Sequence, residues 1–273
     1  MGITAIIPCY NAAKTIGVAV NSLLLQTLPP KEIIIIDDGS DQKTKEAISV
    51  LDHPTIKVIT QKNQGVCIAR NIGIQQAQYN FIVTLDADDS IADTFLEKTY
   101  NAIQKNLALG GVCCWYNYIY ENKIIMKGKP QGGGLKDFLY ENHATSAALF
   151  RKEALLSVGG YDQNMKLGFE DWDLWIALLK KGWAIKVVEE YLYNYSNTPN
   201  SRNKNALKNE VEIKRYLFEK YRDDYLENYD KTVAHLLYQL ERHQKHAKKI
   251  EMGLEYTLGQ NLLRPLRWLK RKF

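Results

Sequence analysis

The chain has 273 residues, 45% of them hydrophobic and 25% charged, enough to bury a full core as one large domain or one domain with an appendage. The formal net charge of +5 at pH 7 is local, because residues from Glu241 to Phe273 carry nine Lys/Arg against three Asp/Glu. The remainder is close to neutral, which argues against nucleic acid as a partner.

A first strand is predicted over 3–8, leading into Pro8-Cys9-Tyr10-Asn11. A helix follows around 14–27, where Ile16, Ala19, Val20, Leu23 and Leu24 share a face and Pro29-Pro30 ends the element. The run Ile33-Ile34-Ile35-Ile36 forms a strand over 32–37 and ends in Asp37-Asp38-Gly39-Ser40. A helix over 41–51, a strand over 55–60 and a helix over 65–77 come next. The run Phe81-Ile82-Val83-Thr84-Leu85 closes a strand over 80–85 in Asp86-Ala87-Asp88-Asp89, before a helix over 92–105. Strands alternating with helices imply right-handed βαβ units around a mostly parallel sheet. Beyond residue 110 the pattern loosens: a strand over Val112–Tyr120, a loop at Gly132-Gly133-Gly134, a strand over Ala144–Phe150 and a helix over Asp171–Lys181. From Ala206 onward the chain reads as helical, and the polar run at 196–200 sets a soft boundary between an α/β domain over 1–200 and a helical region over 201–273.

Cys9, Cys67, Cys113 and Cys114 show no CxxC pairing, so they read as core residues of a protein in a reducing compartment. No signal peptide is read at the start, and no apolar stretch is long enough to span a bilayer, so a cytoplasmic location is expected.

Two acidic clusters end buried strands, and ligands of open α/β sheets bind outside the carboxyl ends of strands. Tyr10 could stack on a nucleobase with Pro8 fixing its turn, and Asp38 could accept from a base imide N–H. Equally, Asp37-Asp38-Gly39-Ser40 could be a strand-ending turn with Ser40 or Asp41 capping the next helix. Arg70, one turn into its helix, is within reach of a phosphate or ribose, or else forms an ordinary ion pair. Asp86 and Asp88 point the same way along an extended segment, suiting a ribose and a hard cation on a diphosphate. Glu170-Asp171 opens a helix whose dipole favours carboxylates, where one of them could act as general base.

Together these segments resemble the family 2 glycosyltransferases, inverting enzymes of the GT-A fold. The matching stretches, in order, are Ile6–Asn11, Ile35–Ser40, Gly65–Asn71, Leu85–Asp89, Val158–Asp162 and Glu170–Trp175. The resemblance implies a nucleobase pocket of Pro8, Tyr10 and Asp38 favouring uracil, with Arg70 near the nucleotide. It also implies Asp86 near the ribose, Asp88 on Mn²⁺ or Mg²⁺ bridging the diphosphate, and Asp171 as general base. His143 and Trp172 are further candidates on the acceptor or sugar side, as is Glu170. Two departures from the family pattern stand out. Tyr193-Asn194-Tyr195-Ser196 replaces a Tyr-Arg-x-His pattern, for which Ser201 or Arg202 could compensate, and the Gln-x-x-Arg-Trp motif of processive synthases is missing. One sugar per encounter is therefore expected, from a UDP-sugar to a saccharide or lipid-linked saccharide. In the tail, Leu258, Leu262, Leu266, Leu269 and Phe273 recur among basic residues. That stripe suits either peripheral contact with anionic lipid at the inner face of the cell membrane or packing on protein. The competing functions are a sugar nucleotidyltransferase, whose Gly-rich phosphate loop is not found after the first strand, and a non-catalytic sugar-nucleotide-binding protein.

Overall fold

The computed structural model describes residues 2–121, 123–196 and 206–253. Contacts divide the chain into two compact units, Met1–Lys220 and Tyr221–Phe273.

In the first unit, strands β1 (Ile3–Cys9) and β2 (Glu32–Asp37) are buried along their whole length. Burial on both faces is why they read as unbroken apolar runs. They pair in parallel, and β3 (Ile56–Thr60) and β4 (Phe81–Thr84) extend the parallel block on either side. The connections carry α1 (Ile16–Leu24), α2 (Gln42–Ser49) and α3 (Val66–Gln76), and α4 (Phe95–Gln104) follows β4. Past β4 the sheet becomes mixed. Strand β8 (Ala148–Arg151) pairs antiparallel with both β4 and β6 (Leu109–Tyr120), and β6 runs parallel to β9 (Ala184–Ser196). Adding β5 (Ser90–Ile91) gives the order β3-β2-β1-β4-β8-β6-β9-β5, with β7 (Lys123–Gly128) paired to β6. Strands β1, β2, β4, β6 and β9 thus all run the same way, and the loops that follow them gather at one edge.

One face of the sheet meets α1 and α4 in a core that includes Ala5, Ile7, Leu23, Phe95 and Ile103. On the other side, α7 (Glu170–Lys180) sets Trp175 with its ring centroid 4.8 Å from that of Phe150. All four cysteines are free and buried. Between α4 and α7 in the chain come the short helices α5 (Leu135–Phe138) and α6 (Lys152–Ser157). The first unit also includes α8 (Glu210–Lys220), which buries Ile213 and Leu217. Its last residue, Lys220, pairs with Asp162 at 2.6 Å and Asp173 at 2.8 Å.

The second unit holds α9 (Arg222–Glu227) and α10 (Tyr229–Glu251). Their junction is closed by Asn228 Nδ2 donating to Asp224 O at 2.8 Å and Thr232 Oγ1 donating to Tyr225 O at 3.0 Å. Among the described residues no helix is long and apolar enough to cross a membrane. The tail stripe from Leu258 to Phe273 lies outside the described residues, as do Ser201 and Arg202.

Gly73 lets α3 lie against β1: a Cβ there would stand 2.5 Å from Ile6 Cγ2 and 3.0 Å from Ile6 Cδ1. Gly73→Ala should therefore destabilise by about 1–2 kcal/mol net, overpacking outweighing the helix propensity gained. In urea unfolding, Ile6→Ala should cost less in the Gly73→Ala background than in the wild type.

Candidate active site

The loops after β1 and β2 are stitched together. Asn11, with φ 52°, donates its N–H to Ser40 Oγ at 3.1 Å and accepts the Asp41 N–H on Oδ1 at 2.8 Å. Asp37 accepts the Ser40 N–H at 2.9 Å, and Asp41 caps α2 through the Thr44 N–H at 2.9 Å. Asp37 and Asp41 thus serve the turn and the helix cap. Pro8 is buried within β1, whereas Tyr10 is 54% exposed and offers an open ring face. Asp38 is buried and accepts Gln61 Nε2 at 2.6 Å, the Gln64 N–H at 2.9 Å and the Gly65 N–H at 2.9 Å. A carboxylate has about four acceptor positions, so most of Asp38 is spent on holding the start of α3.

Arg70 is the hinge of the site. Only 1% exposed, it donates to Asp86 Oδ1 at 2.5 Å through one terminal nitrogen and to Glu170 Oε1 at 2.7 Å through the other. Its guanidinium lies 4.9 Å from the Tyr161 ring centroid, and Nε has no hydrogen-bond partner among the described residues. Burial works against the charge, yet Asp86, Tyr161 and Glu170 carry its pKa well above the ordinary value. The expectation that Glu170 faces the sugar is corrected here: Glu170 is buried and paired inward with Arg70.

The four residues after Leu85 divide by environment. The Asp86 side chain is 28% exposed beside Arg70, Asp88 is half-buried, and Asp89 is 1% exposed. Asp89 accepts from the Tyr193 hydroxyl and from the Ser196 N–H at 2.7 Å. Burial first, then the neighbouring charges of Asp88 and Asp86, hold the Asp89 carboxyl well above the usual range.

Asp171 sits in the first turn of α7, which begins after Phe169 in a left-handed conformation at φ 57°. It is half-buried. Burial and the Glu170 charge push its carboxyl up to about 6, against the opposing pull of Arg70 and of Asn142, whose Nδ2 donates to Asp171 Oδ2 at 2.9 Å. Asn142 escaped sequence reasoning, since it belongs to no motif; its neighbour His143 drew attention instead. The His143 ring stands 5.7 Å edge-on to Phe138, and its carbonyl accepts the Gly132 N–H at 2.9 Å. The stacking role for Trp172 does not fit: it is 5% exposed, and its Nε1–H donates to Phe138 O at 2.6 Å, so the indole packs inward.

Arg70→Met should cost about 3–5 kcal/mol by stranding two carboxylates, and Glu170→Gln in the same chain should recover part of it in urea unfolding. A raised carboxyl pKa favours the protonated form in the fold, so wild-type stability falls as pH rises from about 4 through the Asp171 value of about 6. Asp171→Asn should remove that fall. After discounting for partial exposure, the variant should be about 1–2 kcal/mol more stable than wild type at about pH 8 and equal to it below about pH 4.

Residues 4–159 match the family described as glycosyl transferase family 2. The chain is 29% identical over 214 residues to the cholesterol galactosyltransferase of Borreliella burgdorferi, covering 70% of this chain and 59% of that protein. It is 33% identical over 178 residues to the poly-β-1,6-N-acetyl-D-glucosamine synthase of Staphylococcus epidermidis, covering 60% and 43%. The chain thus spans little more than half the length of these curated relatives, or less. Among solved structures, S. aureus TarS 1-349 in complex with UDP superposes with a TM-score of 0.60 at 21% identity, over 73% of this chain and 61% of that one. The fold is the GT-A fold, and the chain belongs to glycosyl transferase family 2.

Proposed function

We propose that the chain is a non-processive, inverting glycosyltransferase that moves one sugar from a UDP-sugar to a hydroxyl of a saccharide or lipid-linked saccharide, in surface polysaccharide or glycoconjugate assembly. The observation that carries this reading is Asp171. Its carboxyl, raised to about 6, is charged at neutral pH yet basic enough to take a proton, and Asn142 and the start of α7 hold it in place. Structures of TarS with UDP and with UDP-GlcNAc support a uridine nucleotide as donor, with Tyr10 on the base and one acceptor position of Asp38 left for its imide.

In the proposed reaction the acceptor oxygen attacks the anomeric carbon from the face opposite the nucleotide. Its proton passes to the Asp171 carboxylate as the bond from carbon to diphosphate oxygen breaks. The electron pair leaves with UDP, and the single displacement inverts the anomeric centre. Arg70, through Asp86 and Glu170, fixes the donor side relative to this base. Among the described residues no group of three or more His, Cys, Asp or Glu is gathered for a metal. Asp88 would hold Mn²⁺ or Mg²⁺, since such ions bind through one or two carboxylates and complete their shell with substrate phosphates and water. The ion would supply charge stabilisation to the departing diphosphate. A lipid-linked acceptor would bring the protein to the inner face of the cell membrane, with the basic residues after Gly253 facing anionic headgroups.

UDP release across a panel of UDP-sugars, with Mn²⁺, Mg²⁺ or EDTA and with acceptor preparations, tests the reading. The expected result is metal-dependent release from one donor, with kcat/KM rising through the Asp171 value of about 6 to a plateau. Asp171→Asn should cut kcat by about 10²- to 10⁴-fold, and Asp88→Ala should abolish the metal response. Undiminished turnover in Asp171→Asn would overturn the reading, and pyrophosphate in place of UDP would mean a nucleotidyltransferase.

A further inference from the structure

Helix α10 has 23 residues, none of them buried. Yet Tyr229, Leu236, Leu237, Tyr238, Leu240 and Ile250 on it are 62%, 62%, 61%, 57%, 56% and 52% exposed. Helices in water draw most of their stability from packing an apolar face, so these side chains imply a missing neighbour. They follow a rule. Tyr229, Val233, Leu236, Leu240, His243, Ala247 and Ile250 succeed one another at alternating spacings of four and three. That is the 3.5-residue repeat that keeps one seam facing a partner helix in a left-handed supercoil. Val233, Leu240 and Ala247 take the a positions and Tyr229, Leu236, His243 and Ile250 the d positions. Glu241, Arg242, Lys245, Lys248 and Lys249 fall on the far side, where Glu241 and Lys245 pair with each other.

We infer that α10 pairs in parallel with α10 of a second copy, making the protein a dimer through a two-stranded coiled coil. The flanks of the seam suit a copy of itself. The g-to-e contacts across such a pair would join Thr232 to Leu237, Gln239 to Gln244 and His246 to Glu251, so no like charges meet. A membrane surface is the competing occupant, because the far side is rich in Lys and Arg, and the vesicle measurement below separates the two. The seam is also large enough. Complete burial of what the seven a and d side chains and Leu237 expose would remove up to roughly 800 Å² per partner, which reaches the size of a standard stable interface.

The inference is independent of the catalytic reading, and so is its test. Sedimentation equilibrium of the full chain between about 1 and 100 μM should give twice the monomer mass of 31.4 kDa. Leu236→Glu with Leu240→Glu should halve the observed mass, while Tyr238→Glu, on the far side, should leave it unchanged with the same helical circular dichroism. Because the double variant could unfold, a second measurement uses Leu240→Cys. Mild oxidation should cross-link two chains through it, and Tyr238→Cys should not cross-link. A monomer at every concentration, a dimer that survives the paired leucine substitution, or a dimer in which Leu240→Cys fails to cross-link would overturn the inference. So would a monomer that dimerises only once residues 254–273 are removed, because the chain's own tail would then be the occupant. A monomer that binds anionic phosphatidylserine vesicles through Leu236 and Leu240 would overturn it in favour of lipid.

Discussion

Taking a guanidinium out of water is costly, and the site is organised around repaying that cost for Arg70. A buried cation persists only where carboxylates with good geometry meet it, and here two do, from distant parts of the chain. Asp86 follows β4 and Glu170 opens α7, so the two ion pairs fix the distance between the end of a strand and the start of a helix. The planar fork explains why Arg suits this position: each terminal nitrogen serves a different element. Its carrier, α3, is itself constrained. Asp38 holds the start through the Gln64 and Gly65 N–H groups, Gly73 lets the middle touch β1, and Asn71 bonds the Tyr161 backbone in both directions. Tyr161 then closes over the guanidinium. The end of β4 and the start of α7 are thereby parts of one arrangement, as the proposed reaction, which depends on alignment, would require.

The acidic residues that look alike in the sequence are set apart by what surrounds them. Asp37 and Asp41 spend themselves on turns and caps. Asp38 gathers three donors, and Asp86 and Glu170 serve as counter-ions. Asp171, pressed by burial and by the charge of Glu170, is the carboxylate whose basicity is raised into the range useful for proton transfer. Arg70 keeps the pressure from Glu170 within bounds. Without that cation, burial and Glu170 would drive Asp171 still higher, towards a form protonated at neutral pH.

How legible this was depended on whether a residue's role was written in its immediate neighbours. β1, β2 and β4 were plain because burial on both faces demands apolar runs, and α1 to α4 were plain because each follows a strand and shows one apolar face. β9 is the longest strand in the sheet yet went unread, since it is mostly half-buried and mixes charged and aromatic residues. β5 is two residues long and exists only because β9 passes beside it. At the site, the acidic clusters announced themselves and their convergence on one edge followed from strand direction. The inward turn of Trp172, the pairing of Glu170 with Arg70 and the support of Asp171 by Asn142 were not visible. Each is a contact between segments far apart in the chain, and nothing local to those residues separates an inward side chain from an outward one.

The same long-range logic bears on the place where the chain departs from the family pattern. The stretch Tyr193-Asn194-Tyr195-Ser196, which departs from the Tyr-Arg-x-His pattern that the resemblance implies, is bound to the end of the β4 acidic cluster. Asp89 receives the Tyr193 hydroxyl and the Ser196 N–H. Burial disfavours its charged form, so this third aspartate adds less negative charge to the cluster than its sequence suggests. Asp86 is opposed by Arg70 and Asp89 is drawn towards β9, so the aspartates of this cluster do not act as one block of charge. In this chain the stretch from Tyr193 to Ser196 thus anchors the loop after β4 and trims its charge.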